Sequence, residues 1–158
     1  MNTVSPSWAN ASASCVSVHM TSRSTSSPYP LERSKQFYQR LGWRLDEDVS
    51  RPRTFASCSS HPPGSGCSVS FGKGLTAATP GSGVGGPVLS DIRAAHVELT
   101  GRGVDASDMW HGAPFPQEAR LPGPDPKRTS YGSFFAFKDP GGNAWLVQEV
   151  TIRRPGRA

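Results

Sequence analysis

The stretch FKDPGGNAWLVQEV, residues 137–150, contains a tight turn between two apolar runs. The run before the turn covers residues 131–137, and the run after it, residues 144–150, alternates at the period of a strand. Pro140 fixes φ at the second turn position, and the Gly-Gly-Asn that follows tolerates the positive φ of a sharp reversal. The stretch therefore predicts a β-hairpin.

A unit made of a helix, a Gly stop and a strand occurs twice in the chain. Apolar residues recur on one face of each predicted helix, and a glycine ends each helix just before an apolar strand residue. The two copies correspond at a constant offset of 61 residues: Leu31 with Ile92, Ser34 with Ala95, Tyr38 with Leu99, Gly42 with Gly103 and Trp43 with Val104. Each copy ends in a strand-like run, residues 67–72 and 144–149. The chain is therefore an internal duplication of one small unit.

The Asp-Pro-Gly-Gly-Asn hairpin and the two units resemble the vicinal oxygen chelate superfamily, which includes glyoxalases, bleomycin-resistance proteins and extradiol dioxygenases. The resemblance extends from Leu31 to about Arg157. It implies an α+β fold in which two βαβββ modules form a curled, cup-shaped eight-stranded sheet. The predicted boundaries are a disordered N-terminal tail at 1–22, a first module at 23–79, a second module at 80–151 and a basic C-terminal tail at 152–158.

Two segments lack the apolar strand that this fold needs. Residues 23–30, RSTSSPYP, should hold the first strand, but their prolines remove ladder donors and their serines cannot fill a core. Residues 55–61, FASCSSH, are similarly polar. A shifted reading frame could encode apolar strands at both places, which suggests compensated frameshifts. In this interpretation the first strand is degraded, and one alternative is a frameshift-damaged, non-functional family member.

The resemblance implies a divalent metal held by His, Gln or Glu from the first and last strands of each module. It places the last-strand ligand of the second module at Leu146, and an apolar side chain cannot donate an oxygen to a hard cation. Strand alternation turns Gln148 to the same face, where it offers at most one neutral ligand, and turns the apolar Trp145 and Val147 to the opposite face, under the helices. Ser68 and Ser70 in the first module are poor ligands. We therefore predict no cofactor and no metal ligands. The alternative is a divalent metal whose ligands are not identifiable in the sequence.

The predicted pocket residues lie in the second module. His111 follows a predicted strand and begins a long Pro-rich loop, whose prolines predict that it lacks regular structure. It is therefore the candidate acid or base at the mouth of the cup. The alternative is an ordinary His at the edge of a loop. Predicted pocket-lining residues are Trp110, Phe134, Leu146 and Gln148.

Composition excludes several partners. The net charge of +5 comes from scattered Lys and Arg without a five-residue basic block, so we predict no nucleic acid binding. No apolar run reaches the roughly 20 residues that span a bilayer, so we predict no membrane association. Three Cys, an odd number, and the lack of a secretory signal pattern predict a reduced, cytoplasmic protein.

These observations predict a glyoxalase/bleomycin-resistance-like protein that binds a small organic molecule in an apolar cup, without the usual divalent metal. The resemblance implies a homodimer. The alternative is a metal-dependent enzyme of the lyase, isomerase or dioxygenase type, so the choice between binder and enzyme stays open at this point.

Overall fold

The computed structural model describes residues 20–21, 29–51, 55–73, 75, 77–79, 81–113 and 116–153. The first unit contains β1 (Met20–Thr21), α1 (Tyr29–Arg40), β2 (Arg44–Arg51), β3 (Phe55–His61) and β4 (Val69–Lys73). The second unit contains β5 (Val84–Gly85), β6 (Val88–Leu89), α2 (Ile92–Gly101), β7 (Trp110–Gly112), a 3-10 helix (Gln117–Ala119), β8 (Arg120–Pro122), β9 (Ser133–Lys138) and β10 (Ala144–Glu149).

The two units share the strand order of one sheet, and the second unit adds the edge strand β8 and a second short strand beside β10. The first sheet has the order β1-β4-β3-β2, and the second has the order β5-β10-β9-β7-β8 with β6 also paired to β10. In each sheet the first strands run parallel to the last strand, while the others pair antiparallel. The predicted α+β class is confirmed. Its strands form two sheets, of four and six strands, within the described residues.

The helix stops repeat in atomic detail. Gly42 and Gly103 both have φ of +80°, in the left-handed region that glycine occupies without a steric cost. After each stop the backbone N–H of the next residue donates to the helix, from Trp43 to Tyr38 at 3.0 Å and from Val104 to Leu99 at 3.0 Å. The predicted duplication is therefore a duplication of structure.

The predicted hairpin is also confirmed, because β9 and β10 pair antiparallel on either side of the Asp139 turn. Asp139 is buried, and its carboxylate accepts hydrogen bonds from the backbone N–H and the side-chain amide of Asn143. It also accepts a hydrogen bond of 2.8 Å from the hydroxyl of Tyr38 in α1. Burial and this carboxylate raise the pKa of Tyr38 well above its ordinary value. The turn thus ties the second unit to the helix of the first.

An aromatic cluster joins the two units. Tyr38 stacks on Trp43 with ring centroids 4.7 Å apart and meets Trp145 of β10 edge-on at 6.1 Å. Phe37 contacts Phe137 of β9 at 6.2 Å. Such aromatic pairs stabilise by about 0.5–1.5 kcal/mol beyond the area that they bury. The helix α1 therefore packs on both sheets and positions one unit against the other.

The N-terminal region differs from its predicted limits. Met20 and Thr21, assigned to the disordered tail, form a two-residue strand parallel to β4. The helix α1 begins at Tyr29, so the last two residues of the predicted strand at 23–30 belong to the helix, where Pro30 is tolerated in the first turn. Residues 22–28 lie outside the described residues.

The segment 55–61 forms a central strand as it is written. It pairs with β2 on one side and β4 on the other, and three of its residues, Ser57, Cys58 and Ser60, are buried. The buried side of this strand therefore includes two serines, Ser57 and Ser60. The Pro-rich loop, predicted to lack regular structure, contains the 3-10 helix and β8, because β8 sits at the sheet edge, where proline is tolerated. No helix among the described residues is long and apolar enough to cross a membrane.

Candidate functional site

One face of the second sheet points away from the helices. Trp145 and Val147 of β10 are buried, and their partners Phe137 and Phe135 of β9 contact α1 and α2. Side chains alternate along a strand, and directly paired residues project to the same side. The residues between these belong to the opposite face, here called the cup face: Trp110, Phe134, Ala136, Leu146 and Gln148.

The four predicted pocket residues are neighbours on the cup face. Gln148 pairs with Phe134, and Phe134 pairs with Trp110, so three strands present them side by side. Leu146 pairs with Ala136 and is half-buried. The backbone register thus brings together residues that are far apart in sequence. Their role in ligand binding stays a prediction.

Trp110 and Phe134 form the aromatic part of the cup face. Their rings stack at an interplanar angle of 22° with centroids 6.0 Å apart. The guanidinium carbon of Arg120 lies 4.2 Å from the centre of the Trp110 ring, a cation–π contact. The indole Nε1 of Trp110 is buried and has no hydrogen-bond partner within the described part of the chain. This part of the cup face therefore consists of two stacked and largely buried aromatic rings, with a cation over one of them.

Gln148 has a fixed orientation on the cup face. Its side-chain Nε2 donates to the backbone carbonyl of Tyr131 at 3.0 Å, in the loop before β9. The bond assigns the amide nitrogen to the loop and leaves the carbonyl oxygen as the acceptor that Gln148 can present. A single neutral oxygen of this kind is a weak metal ligand and an ordinary hydrogen-bond acceptor for an organic ligand.

His111 points to the other face. It pairs with Ser133, whose hydroxyl contacts Glu149 on the helix side of the sheet, so its ring is separated from Trp110 and Phe134. The ring Nδ1 lies 2.8 Å from the carbonyl oxygen of Gly123, which only accepts, so Nδ1 carries the proton and Nε2 is the acceptor of the neutral ring. The structure therefore does not bring His111 together with the other predicted site residues.

Glu149 is a buried carboxylate on the side of the second sheet that faces the helices. It forms an ion pair with Arg128. Arg128 donates to its Oε1 through Nε at 3.1 Å and Nη2 at 2.7 Å, and the same Nη2 donates to the carbonyl of Ser90. Arg128 has φ of +50°, a left-handed conformation that costs a non-glycine residue about 1–3 kcal/mol. These contacts connect the Pro-rich loop to β10 and to the start of α2, which is a structural arrangement.

The described residues do not fit a divalent metal of the kind that the superfamily implies. Leu146 provides only hydrocarbon at the position of the last-strand ligand, and Gln148 provides one neutral oxygen. The described part of the chain contains no group of three or more His, Cys, Asp or Glu side chains close enough to hold an ion. These residues therefore support no chemical step through a metal.

Sequence reasoning missed two features of the structure, one on the cup face and one beside α1. Arg120 was not singled out, because it lies in the Pro-rich segment where no periodicity predicted a strand. A surface groove of about 640 Å³ beside α1 was also not predicted; it is lined by Arg33, Gln36, Gln39, Arg40 and Pro140. The polar helical spacing of its Arg and Gln residues was the available signal. None of the predicted site residues lines this groove.

Sequence comparison found no matching protein-family model and no matching curated protein. Structure comparison did find similar folds. TnmS3, an antibiotic binding protein from Streptomyces sp. CB03234, is 22% identical, with 84% of this chain and 91% of that chain covered and a TM-score of 0.57. A glyoxalase/bleomycin resistance protein from the same organism is 22% identical, with 83% and 96% covered and a TM-score of 0.56.

A more distant neighbour is the fosfomycin resistance protein FosX from Listeria monocytogenes, in complex with Mn(II) and a dihydroxypropylphosphonic acid. It is 8% identical, with 87% of this chain and 91% of that chain covered and a TM-score of 0.51. Together these neighbours show that the chain has the fold of the glyoxalase/bleomycin resistance/dioxygenase superfamily, as the hairpin and the duplication predicted. Proteins of this fold include binders of small molecules and proteins that hold a metal.

Proposed function

We propose that this protein binds a small, planar organic molecule against the cup face of its second sheet, without a metal. The observation that carries the proposal is the register of β7, β9 and β10, which aligns Trp110, Phe134, Leu146 and Gln148 on one face. Pockets for small organic molecules combine apolar and aromatic walls with a few polar groups, and this face has that composition.

Two further observations support binding rather than metal chemistry. Leu146 is apolar at the position where the superfamily resemblance implies a metal ligand. TnmS3, which has the same fold, is an antibiotic binding protein. We further propose that the protein works in the cytoplasm as a homodimer, as the resemblance implies. His111 is not part of the proposed site because it projects from the opposite face.

Calorimetric titration with 2-naphthylmethanol, a neutral planar probe, tests the proposal. We expect saturable binding to the wild-type protein and its loss in Leu146→Arg, which places a large charged side chain on the cup face. Val97→Arg is the matched control, because Val97 is 70% exposed on α2 and the same change there leaves the cup face intact. Circular dichroism verifies that both variants fold.

The outcome that would contradict the proposal is equal binding by the two variants, or no binding by the wild-type protein. Metal content is measured separately on the dialysed wild-type protein. A stoichiometric Ni, Zn, Mn or Fe that survives dialysis would overturn the metal-free part of the proposal.

A further inference from the structure

We infer that Ser68 is a nucleophile that accepts an acyl group from small activated esters, with His61 as its general base. The site lies in the first sheet, at the turn between β3 and β4, where Asp46 of β2 meets both side chains. It is separate from the cup face of the second sheet, so the inference goes beyond the proposed binding function and does not depend on it.

The ring of His61 is oriented by the backbone of the turn. Its Nε2 lies 2.6 Å from the carbonyl oxygen of Ser65, which only accepts, so Nε2 carries a proton. In the neutral ring Nδ1 is therefore the unprotonated nitrogen, and it lies 3.0 Å from the hydroxyl oxygen of Ser68. A hydroxyl within hydrogen-bond reach of a base, which a third group orients, is the arrangement that activates a nucleophile.

Asp46 places a negative charge beside this pair. Its Oδ2 lies 3.0 Å from the hydroxyl oxygen of Ser68 and 3.4 Å from Nδ1 of His61. A hydrogen bond from Arg44 lowers the pKa of Asp46, so the carboxylate stays ionised. The hydroxyl has one proton and two acceptors at the same distance, so rotation about its C–O bond directs that proton to Asp46 or to Nδ1. Once Nδ1 has taken the proton, the carboxylate stabilises the imidazolium that forms.

The site is open to small reagents. The side chains of His61 and Asp46 are 24% and 27% exposed, and Ser68 is half-buried. Gly66, two residues before Ser68, is exposed, and a Cβ atom built there would meet nothing within 4 Å. The turn therefore leaves space for an ester of the size of an acetate.

The chemical step is the transfer of an acyl group from an aryl ester. The Ser68 oxygen forms a bond to the carbonyl carbon while its proton passes to Nδ1 of His61, and the bond from that carbon to the aryl oxygen breaks. The imidazolium then gives the proton to the departing aryloxide. The products are acylated Ser68 and a phenol, so the step needs no oxidant, reductant or further reactant.

Acetylation by p-nitrophenyl acetate, located by tandem mass spectrometry of peptides from the full-length protein, tests the inference. Ser70 is the internal control, because it is also half-buried but lies opposite Ser59 of β3. General acid–base catalysis contributes about 10²–10⁴-fold, so at pH 8 we expect Ser68 to be acetylated at least about 100-fold faster than Ser70. The ratio should fall as the pH is lowered to 5, because imidazoles become protonated in this range and a protonated ring cannot act as a base.

Two histidine variants assign the effect to the base. In His61→Gln the ratio of the two acetylation rates should fall to about one, since an amide does not take up the proton. His96→Gln is the matched control, because His96 lies on α2 in the second unit and contacts Ser107 there. The ratio should be unchanged in that variant.

Equal acetylation of Ser68 and Ser70 in the wild-type protein would overturn the inference. A full preference for Ser68 in His61→Gln, or a ratio that stays constant from pH 8 to pH 5, would overturn it as well, because Ser68 would then react without the base. The wild-type ratio needs no substitution, so it decides the matter even if His61→Gln fails to fold. The titration of the cup face with 2-naphthylmethanol is a separate measurement, so either proposal can fail while the other stands.

Discussion

The hydrogen bond between Tyr38 and Asp139 connects the two units, and removing it tests how strongly they are held together. Tyr38→Phe removes only a hydroxyl that is fully buried and donates at 2.8 Å to the carboxylate of a residue 101 positions away. Hydrogen bonds to charged groups contribute about 1.5–3 kcal/mol. Asp139 keeps its bonds from Asn143, at 2.9 and 3.0 Å, so it is not left without partners. We therefore expect the lower part of that range, a loss of about 1.5 kcal/mol in the free energy of unfolding.

Urea denaturation followed by circular dichroism measures this loss, with Asp139→Asn as the second variant of a double-mutant cycle. Asn replaces the carboxylate by one neutral acceptor oxygen and one donor nitrogen, so whatever hydrogen bond it makes with Tyr38 is uncharged, and neutral hydrogen bonds are about half as strong. The effect of Tyr38→Phe should therefore fall to about half in the Asp139→Asn background. A loss below about 0.5 kcal/mol, or an equal loss in both backgrounds, would refute the reasoning, since 0.5 kcal/mol is the lower limit for an ordinary hydrogen bond.

Two further predictions concern the polar core of the first sheet. Ser60 is buried, and its hydroxyl has no partner within the described part of the chain, so Ser60→Ala should raise the free energy of unfolding by about 1 kcal/mol in urea denaturation. The control, Ser59→Ala on the opposite face of the same strand, should change it little, and destabilisation by Ser60→Ala would contradict the prediction. Burial and a hydrogen bond to Asp48 raise the pKa of Cys58 from 9.0 to about 12. Between pH 9 and 12 the unfolded thiol loses its proton while the folded one keeps it, so stability should fall as the pH rises, by at most about 1.4 kcal/mol per pH unit for this one group. Cys58→Ala should show a shallower fall than Cys67→Ala when the denaturation midpoint is measured across this window. Equal slopes in the two variants would show that Cys58 does not titrate as described.

Local sequence signals predicted the elements with a strong local cause. The Asp-Pro-Gly-Gly-Asn turn needs only its own backbone preferences, and the structure has a hairpin there. The glycines at 42 and 103 end their helices for the same reason, since each adopts a positive φ that other residues avoid. The alternation of residues 144–149 also predicted correctly that Trp145 and Val147 face the helices.

The site was harder to predict because it depends on register between strands. The run SFFAF in β9 is apolar on both sides, so its composition does not say which Phe faces the cup. Pairing with β10 decides that Phe134 does and Phe135 does not. His111 and Trp110 are adjacent in β7, so their side chains project to opposite faces of the sheet. They therefore cannot line the same pocket on one face. Arg120 reaches Trp110 only because β8 pairs with β7 from within a segment whose prolines predicted no strand.

By itself, the sequence determined the duplicated unit, the hairpin, the class of fold and the apolar side chain at Leu146. Each of these follows from backbone preferences or from the chemistry of one residue, which act over a few positions in the chain. Only the tertiary structure decided that Tyr38 reaches Asp139, that Arg120 lies over Trp110, and that His111 lies on the far side of the sheet. These contacts depend on how strands align and how helices pack, and that alignment is set by burial of the whole core rather than by any local stretch.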